Sequence, residues 1–372
     1  PLLGTAPAAI DRVRDPAAFF AALALDGIAH PPTQLSAPAP DQAAGWLVKD
    51  FAGSGGAQVQ PAEAAWSDAS ADNHADADTP LAFGARSRRH WQQRLVGEPQ
   101  SLTVIGNGTR AALLGLNRQR LQPGAGCAHR FGGLIGPLAW TAAQAAALQQ
   151  LADRLVRRFA LRGLCSIDLL RVAAADDVAD DVAAAEGAEA AFPGIPASLT
   201  AGATEATEAP EATDFASPWR VLEVNPRLPA SLALYGGTGG LMRAHVAACL
   251  RGELPSAAAL AALRGTPVQG FDLVYADAPL QLGAAQVARL HAGERAGWWH
   301  DVPPLPSRRD AVAIPAGAPL CTLAAAAADA DAVATQLAQR RQQLAALLHP
   351  EPSRAAGAAR APFERLTQDL TP

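Results

Sequence analysis

The chain has 372 residues, enough for two or three domains, and is 49% hydrophobic but only 5% aromatic. Its net charge of −5 argues against nucleic acid as a partner, and its four cysteines (Cys127, Cys165, Cys249, Cys321) are spaced too widely for a disulfide framework or a zinc site. There is no apolar run long enough to span a membrane and no signal peptide, so a cytoplasmic protein with no membrane partner is expected.

The chain begins at Pro1, not methionine, which leads us to expect a missing N-terminal part. A helical run carrying Val13, Phe19, Phe20 and Leu23 follows, with Asp15-Pro16 as a helix start and Asp26-Gly27 as its end. Residues 45–60 read as strand, Gly-rich turn, strand, with Trp46, Leu47 and Val48 leading to Lys49 and with Gly53, Ser54, Gly55 and Gly56 in the turn. Lys49 precedes the glycines and sits on the strand, unlike the lysine of a Walker loop. A hairpin tip with free N–H groups can fold over a polyphosphate. The bland alternative is an ordinary Gly-rich turn beside a surface lysine. Lys49 is the only lysine among 30 basic residues, and a compact ammonium differs sterically from a guanidinium, which favours a specific role.

Residues 61–80 are acidic and read as a loop. Strand-like alternation runs over 81–118, with Gly106-Asn107-Gly108 joining a hairpin. Residues 129–138 read as a loop that opens with Arg130. A helix over 141–161 is marked by Leu148, Leu151, Leu155 and Phe159 at helical spacing. The strand 164–170 follows, and Asp168 is its one charged residue. Residues 173–217 hold almost no bulky apolar side chain and read as a disordered excursion between two adjacent antiparallel strands.

The second of those strands is 219–225. Period-two alternation puts Val221, Glu223 and Asn225 on one face, and Leu222 and Val224 on the other, toward a core. Glu223 and Asn225 then stand about 6–7 Å apart, a carboxylate and an amide oxygen of the hard kind Mg²⁺ takes. Pro226 ends the ladder, and Arg227 adds a fork suited to phosphate. A strand end with a solvated carboxylate is the alternative. Beyond it lie a Gly-rich loop with Ser231 and Tyr235, a helix over 241–250, a β-rich stretch over 256–325 and a last helix over 330–348.

In this order the parts resemble the ATP-grasp superfamily from Leu3 to about Leu250. The resemblance rests on Lys49 with Gly53–Gly56, on Gln92-Gln93-Arg94-Leu95-Val96-Gly97 and, most specifically, on Asp168 with Glu223-Val224-Asn225-Pro226-Arg227. Within the superfamily, residues 222–232, Trp299-His300-Asp301-Val302-Pro303 and the stretch 314–323 look like tyramine–glutamate ligases and their methylotroph relatives, which act in methanofuran-type one-carbon cofactor biosynthesis. The resemblance implies an α+β ATP-grasp fold: a small subdomain (1–95), a large one with the metal site (96–255), a β-rich C-terminal subdomain with a final helix (256–348) and a loose tail (349–372). It implies that a domain preceding the ATP-grasp part is missing.

It further implies an ATP-dependent carboxylate–amine ligase that works through an acyl phosphate on small-molecule substrates, and a homodimer is compatible with it. Lys49, Gly53, Ser54, Gly55, Gly56, Gln92, Gln93 and Glu98 would meet ATP, and Asp168, Glu223 and Asn225 would hold Mg²⁺ or Mn²⁺. Lys49, Arg227 and Arg130 would act on phosphates and the carboxylate. The chain departs from the family in having Asp15-Pro16 for an Asp-Lys pair and Gln93 for the hinge glutamate, with Glu98 as a substitute. A nucleotide-binding module without ligation, or a phosphotransferase of the same fold, remains an alternative.

Overall fold

The computed structural model describes residues 2–50, 55–56, 59–63, 89–124, 127–172, 218–236, 238–265, 267–305 and 311–348. The expected loop over 61–80, apart from its first three residues, the excursion 173–217 and the tail from 349 lie outside the described residues. The described residues form two compact units. One draws on Pro1–Gln122, Cys127–Phe131 and Gly136–Gly265, the other on Pro123–Gly126, Gly132–Ile135 and Thr266–Pro372.

The first unit opens with helices α1 (Pro7–Arg14) and α2 (Pro16–Leu25). Asp15 caps α2: its Oδ1 accepts from the backbone N–H of Ala17 at 2.9 Å and of Ala18 at 3.2 Å, with Pro16 in the first turn. The Asp15-Pro16 departure thus has a structural use. Strands β1 (Thr33–Gln34), β2 (Trp46–Asp50), β3 (Gln60–Pro61) and β4 (Arg89–Gln93) make a small antiparallel sheet in the order β1-β4-β2-β3.

The hairpin of β5 (Glu98–Asn107) and β6 (Ala111–Leu121) begins the main sheet of this unit. Helix α3 (Ala142–Phe159) follows, held at its start by a capping box between Thr141 and Gln144. Strands β8 (Arg162–Arg171) and β9 (Trp219–Asn225) complete the order β6-β5-β8-β9, all antiparallel. Leu148, Leu155 and Phe159 of α3 pack with Phe19 and Leu23 of α2 against Leu102, Val104, Ile167, Val221 and Val224 of the strands. A 3-10 turn over Ala230–Leu234 then leads to α4 (Thr238–Arg251) and α5 (Ala257–Arg264).

In the second unit, β7 (Phe131–Gly136), β10 (Val268–Tyr275), β14 (Pro319–Ala327) and β12 (Trp299–His300) follow the order β12-β14-β10-β7, and β11 (Leu280–Leu282) pairs with β13 (Val312–Ile314). Helices α6 (Ala284–Arg295) and α7 (Ala330–Leu348) pack on the core formed by Leu290, Trp299, Leu323, Val333 and Leu337.

Three expectations need correction. Residues 131–136 are a strand, not a loop. Their glycines hide the alternation yet permit close packing, since a Cβ on Gly133 would stand 2.0 Å from the Phe271 carbonyl oxygen. The stretch 256–325 holds the expected strands and also α5 and α6, whose alanine-rich sequences give a weak helical stripe but a high helix propensity. Strand β9 does not alternate strictly. Asp168 pairs with Glu223 and Leu169 with Val221, so Leu222 is the extra residue of a β-bulge. Val221 and Val224 therefore both enter the core, and Val221 does not share a face with Glu223.

Candidate active site

The bulge aims β9. Beyond Leu222 the alternation restarts, with Val224 inward and with Glu223 and Asn225 on the opposite face. β8 lies between β5 and β9, and its Asp168 stands beside Glu223 on one side and Ser101 on the other. On β5 the apolar Leu102 and Val104 face the core, leaving Ser101 and Thr103 on the site face.

Two carboxylates converge there on one amide. Asn225 Nδ2 donates to Asp168 Oδ2 and to Glu223 Oε1, each at 3.1 Å. Ser101 Oγ donates to Asp168 Oδ1 at 3.0 Å. Arg227 is exposed; its backbone N–H donates to the Asn225 carbonyl at 2.9 Å and its Nη2 to Asn225 Oδ1 at 3.4 Å. Burial, and then the negative charge of Glu223, pushes the Asp168 carboxyl well above its ordinary value. Two like charges beside each other call for positive charge, and the amide N–H₂ supplies part of it. Turned about, the same amide would present a third oxygen, so this donor set suits a hard, oxygen-seeking cation. Among the described residues there is no cluster of three or more His, Cys, Asp or Glu side chains that could hold a metal.

Lys49 reaches this place from the small sheet. Leu47 pairs with Gln92 and Lys49 with His90, which puts all four side chains on one face. Lys49 Nζ donates to Gln92 Oε1 at 2.5 Å, and Gln92 Nε2 donates to Thr33 Oγ1 at 3.1 Å. Burial pushes the Lys49 ammonium below its ordinary value, against the pull of Glu223 and Asp168. Gln92 is 1% exposed, whereas Gln93 points to the other face and is exposed.

Of the glycine turn, Gly53 and Ser54 lie outside the described residues, while Gly55 and Gly56 are described. The Gly55 carbonyl accepts from the Phe131 N–H at 2.8 Å. A Cβ on Gly56, whose φ is +79°, would lie 1.8 Å from the His129 carbonyl oxygen, so only glycine permits this approach. Arg130 is buried, and its Nε donates to the Gln122 carbonyl at 3.0 Å.

The structure thus gathers Lys49, Gln92, Asp168, Glu223, Asn225 and Arg227. Glu98 is not among them. It lies on the face of β5 opposite Ser101, accepts from Arg118 Nε at 2.7 Å and accepts from Gln100 Nε2 at 2.7 Å. Sequence reasoning passed over Ser101, for which the alternation of Ser101 and Thr103 with Leu102 and Val104 is a usable signal. It also passed over His129, whose imidazole is pushed down by burial and then by the charges of Lys49 and Arg94, and for which the sequence carries no signal.

A family model of the ATP-grasp domain matches residues 14–180. No curated protein matches the sequence. Among solved structures, carboxyaminoimidazole ribonucleotide synthase from Aspergillus clavatus, complexed with ATP, superposes with a TM-score of 0.56 at 12% identity over 91% of this chain and 75% of that one. The biotin carboxylase domain of 2-oxoglutarate carboxylase from Hydrogenobacter thermophilus, in complex with magnesium ADP and bicarbonate, gives 0.55 at 12% identity over 91% of this chain and 68% of that one. L-amino acid ligase from Bacillus licheniformis gives 0.55 at 10% identity over 90% and 72%. At such identities the likeness is one of fold. No helix among the described residues is long and apolar enough to cross a membrane.

Proposed function

This chain has the ATP-grasp fold, and on that footing we propose that it is an ATP-dependent carboxylate–amine ligase. One observation carries the proposal: Asp168 and Glu223 stand side by side across β8 and β9 around the Asn225 amide, with Arg227 at the strand end and Lys49 close enough to feel both charges. Like charges held together in a half-buried place are costly to a fold and useful to a cation-dependent reaction.

In the proposed reaction a substrate carboxylate oxygen attacks the γ-phosphorus of ATP, the bond to ADP breaks, and an acyl phosphate forms. An amine then attacks the acyl carbon, phosphate leaves, and the amine nitrogen loses a proton to give the amide. Such phosphoryl transfer needs positioning and charge neutralisation more than covalent help. Asp168, Glu223 and Asn225 would hold Mg²⁺ or Mn²⁺, which when bound neutralises phosphate oxygens as a Lewis acid. Lys49, held by Gln92, offers its ammonium to the phosphates from the small sheet, and Arg227 offers a planar fork from β9. The turn with Gly55 and Gly56 would cover the phosphates and keep water from the acyl phosphate. Arg130 is the proposed partner of the carboxylate. ATP in one neighbour of this fold and magnesium ADP in another support the nucleotide and the metal, and the L-amino acid ligase supports C–N bond formation.

The likeness of residues 222–232, 299–303 and 314–323 to tyramine–glutamate ligase-like proteins extends the proposal to a glutamate-type acid and to methanofuran-type one-carbon cofactor biosynthesis in the cytoplasm. The purified protein, given ATP, Mg²⁺, glutamate and a panel of amines including tyramine, tests it. We expect ADP release that depends on both acid and amine, with the amide found by mass spectrometry. ADP release indifferent to both substrates, or a phosphorylated product without amide, would overturn ligation.

A further inference from the structure

The loop that leaves β9 contains Ser231 and Tyr235, only 1% and 3% exposed, and neither has a place in the chemistry above. Buried hydroxyls need partners, and these find them on β5 and β6. Ser231 Oγ and Thr103 Oγ1 are 2.6 Å apart. Asn117 Nδ2 donates to Thr103 Oγ1 and to the Ser101 carbonyl, both at 3.0 Å. The Tyr235 hydroxyl donates to Asn117 Oδ1 at 2.8 Å.

At Asn117 and Tyr235 the orientation of these bonds is forced, while between Thr103 and Ser231 either hydroxyl can donate. A carbonyl cannot donate, so the Asn117 amide must turn its nitrogen to Ser101, which leaves its oxygen for the tyrosine. Burial raises the Tyr235 phenol to about 12, so it keeps its proton across neutral pH. Two glycines make the room: a Cβ on Gly115 would lie 2.4 Å from the Tyr235 hydroxyl oxygen, and one on Gly136 2.2 Å from Asn117 Oδ1. Ser101 is the joint. Its carbonyl accepts from Asn117, and its own hydroxyl donates to Asp168.

We propose that Thr103, Asn117, Ser231 and Tyr235 are positioning residues that pin the loop after Arg227 to the strand orienting Asp168, so that the phosphate-facing arginine and the carboxylate pair keep one fixed arrangement. The proposal deepens the ligase reading and, for its kinetic part, rests on it. A buried polar network with every member satisfied specifies one geometry, which an apolar contact of equal size would not.

Limited trypsin digestion after Arg227, read by mass spectrometry of the new Leu228 terminus, reports the pin without reference to ligation. Tyr235→Phe and Thr103→Val each remove one hydroxyl with little change of shape, whereas Thr103→Ser keeps it. We expect both hydroxyl-less variants, folded by circular dichroism, to be cut at Arg227 about tenfold faster and to lose about tenfold in kcat, with ADP affinity within about twofold of the parent and Thr103→Ser like the parent. Unchanged cutting in both folded variants overturns the pin, as does an equal loss in Thr103→Ser or a fall in ADP affinity matching that in kcat. If the parent shows no acid- and amine-dependent ADP release, the ligase reading fails, and the digestion still decides the pin.

Discussion

Each of the two units places an aspartate on a central strand, and the two are treated in opposite ways. Asp272 of β10 is 1% exposed and meets Arg341 Nη2 of α7 at 3.3 Å, an opposite charge within its own unit. Asp168 of β8 faces Glu223, a like charge, with Lys49 as the nearby cation and Ser101 and Asn225 as neutral donors. A fold shaped for stability alone would not set two carboxylates together, since one must hold a proton or both must repel. The difference separates an acid that serves the scaffold from one kept ready for a cation and its phosphates.

Substitutions at the two aspartates should therefore act in opposite directions. Asp168→Asn should lower acid- and amine-dependent ADP release on the order of 10³-fold, while raising the melting temperature of the metal-free protein, because repulsion with Glu223 is gone. A variant that is inactive and also less stable would break the contrast. Lys49→Arg should lower kcat about 10²-fold with charge retained, since a guanidinium cannot take the place of an ammonium bonded to Gln92 at 2.5 Å. Normal turnover would make the lone lysine an accident of composition. Asp272→Asn should leave ADP release untouched and cost about 2–3 kcal/mol in urea denaturation, because Arg341 loses its charged partner.

A smaller effect follows from the proton on Asp168. Its folded pKa lies above the ordinary 3.8, so the folded protein holds this proton more tightly than the unfolded chain does. The resulting destabilisation is absent below 3.8, sets in as pH rises past it and is complete above the raised folded value. The melting-temperature gain of Asp168→Asn over the parent, measured in chelator, should grow with pH across that window. A gain that shrinks as pH rises would put the sign wrong.

Much of this was legible before the fold was seen. Asp15-Pro16 marks a helix start by cap and ring, α3 announces itself by Leu148, Leu155 and Phe159, and the antiparallel pairing of β8 with β9 agrees with the expectation that the two are neighbours across the stretch poor in bulky apolar residues. What escaped reading depends on contacts distant in the chain. The bulge at Leu222 is invisible because Val221, Leu222 and Val224 are all apolar, and only pairing with β8 decides which of them turns inward. β7 was obscured by its glycines, of which Gly133 and Gly136 are placed for close packing instead of side-chain alternation. Helix α5 is mostly alanine where periodicity needs contrast, and α6 spreads its few large apolar residues among alanines and polar side chains. Glu98 seemed available to a ligand because its partner Arg118 is reached only through the hairpin register.

The most direct test is the magnesium dependence of ADP affinity, measured calorimetrically on the parent and on Asp168→Asn. If the paired carboxylates are a cation site beside the nucleotide's phosphates, Mg²⁺ should tighten ADP binding in the parent, and that gain should vanish in the variant. An equal gain in both would contradict the assignment of Asp168 and Glu223.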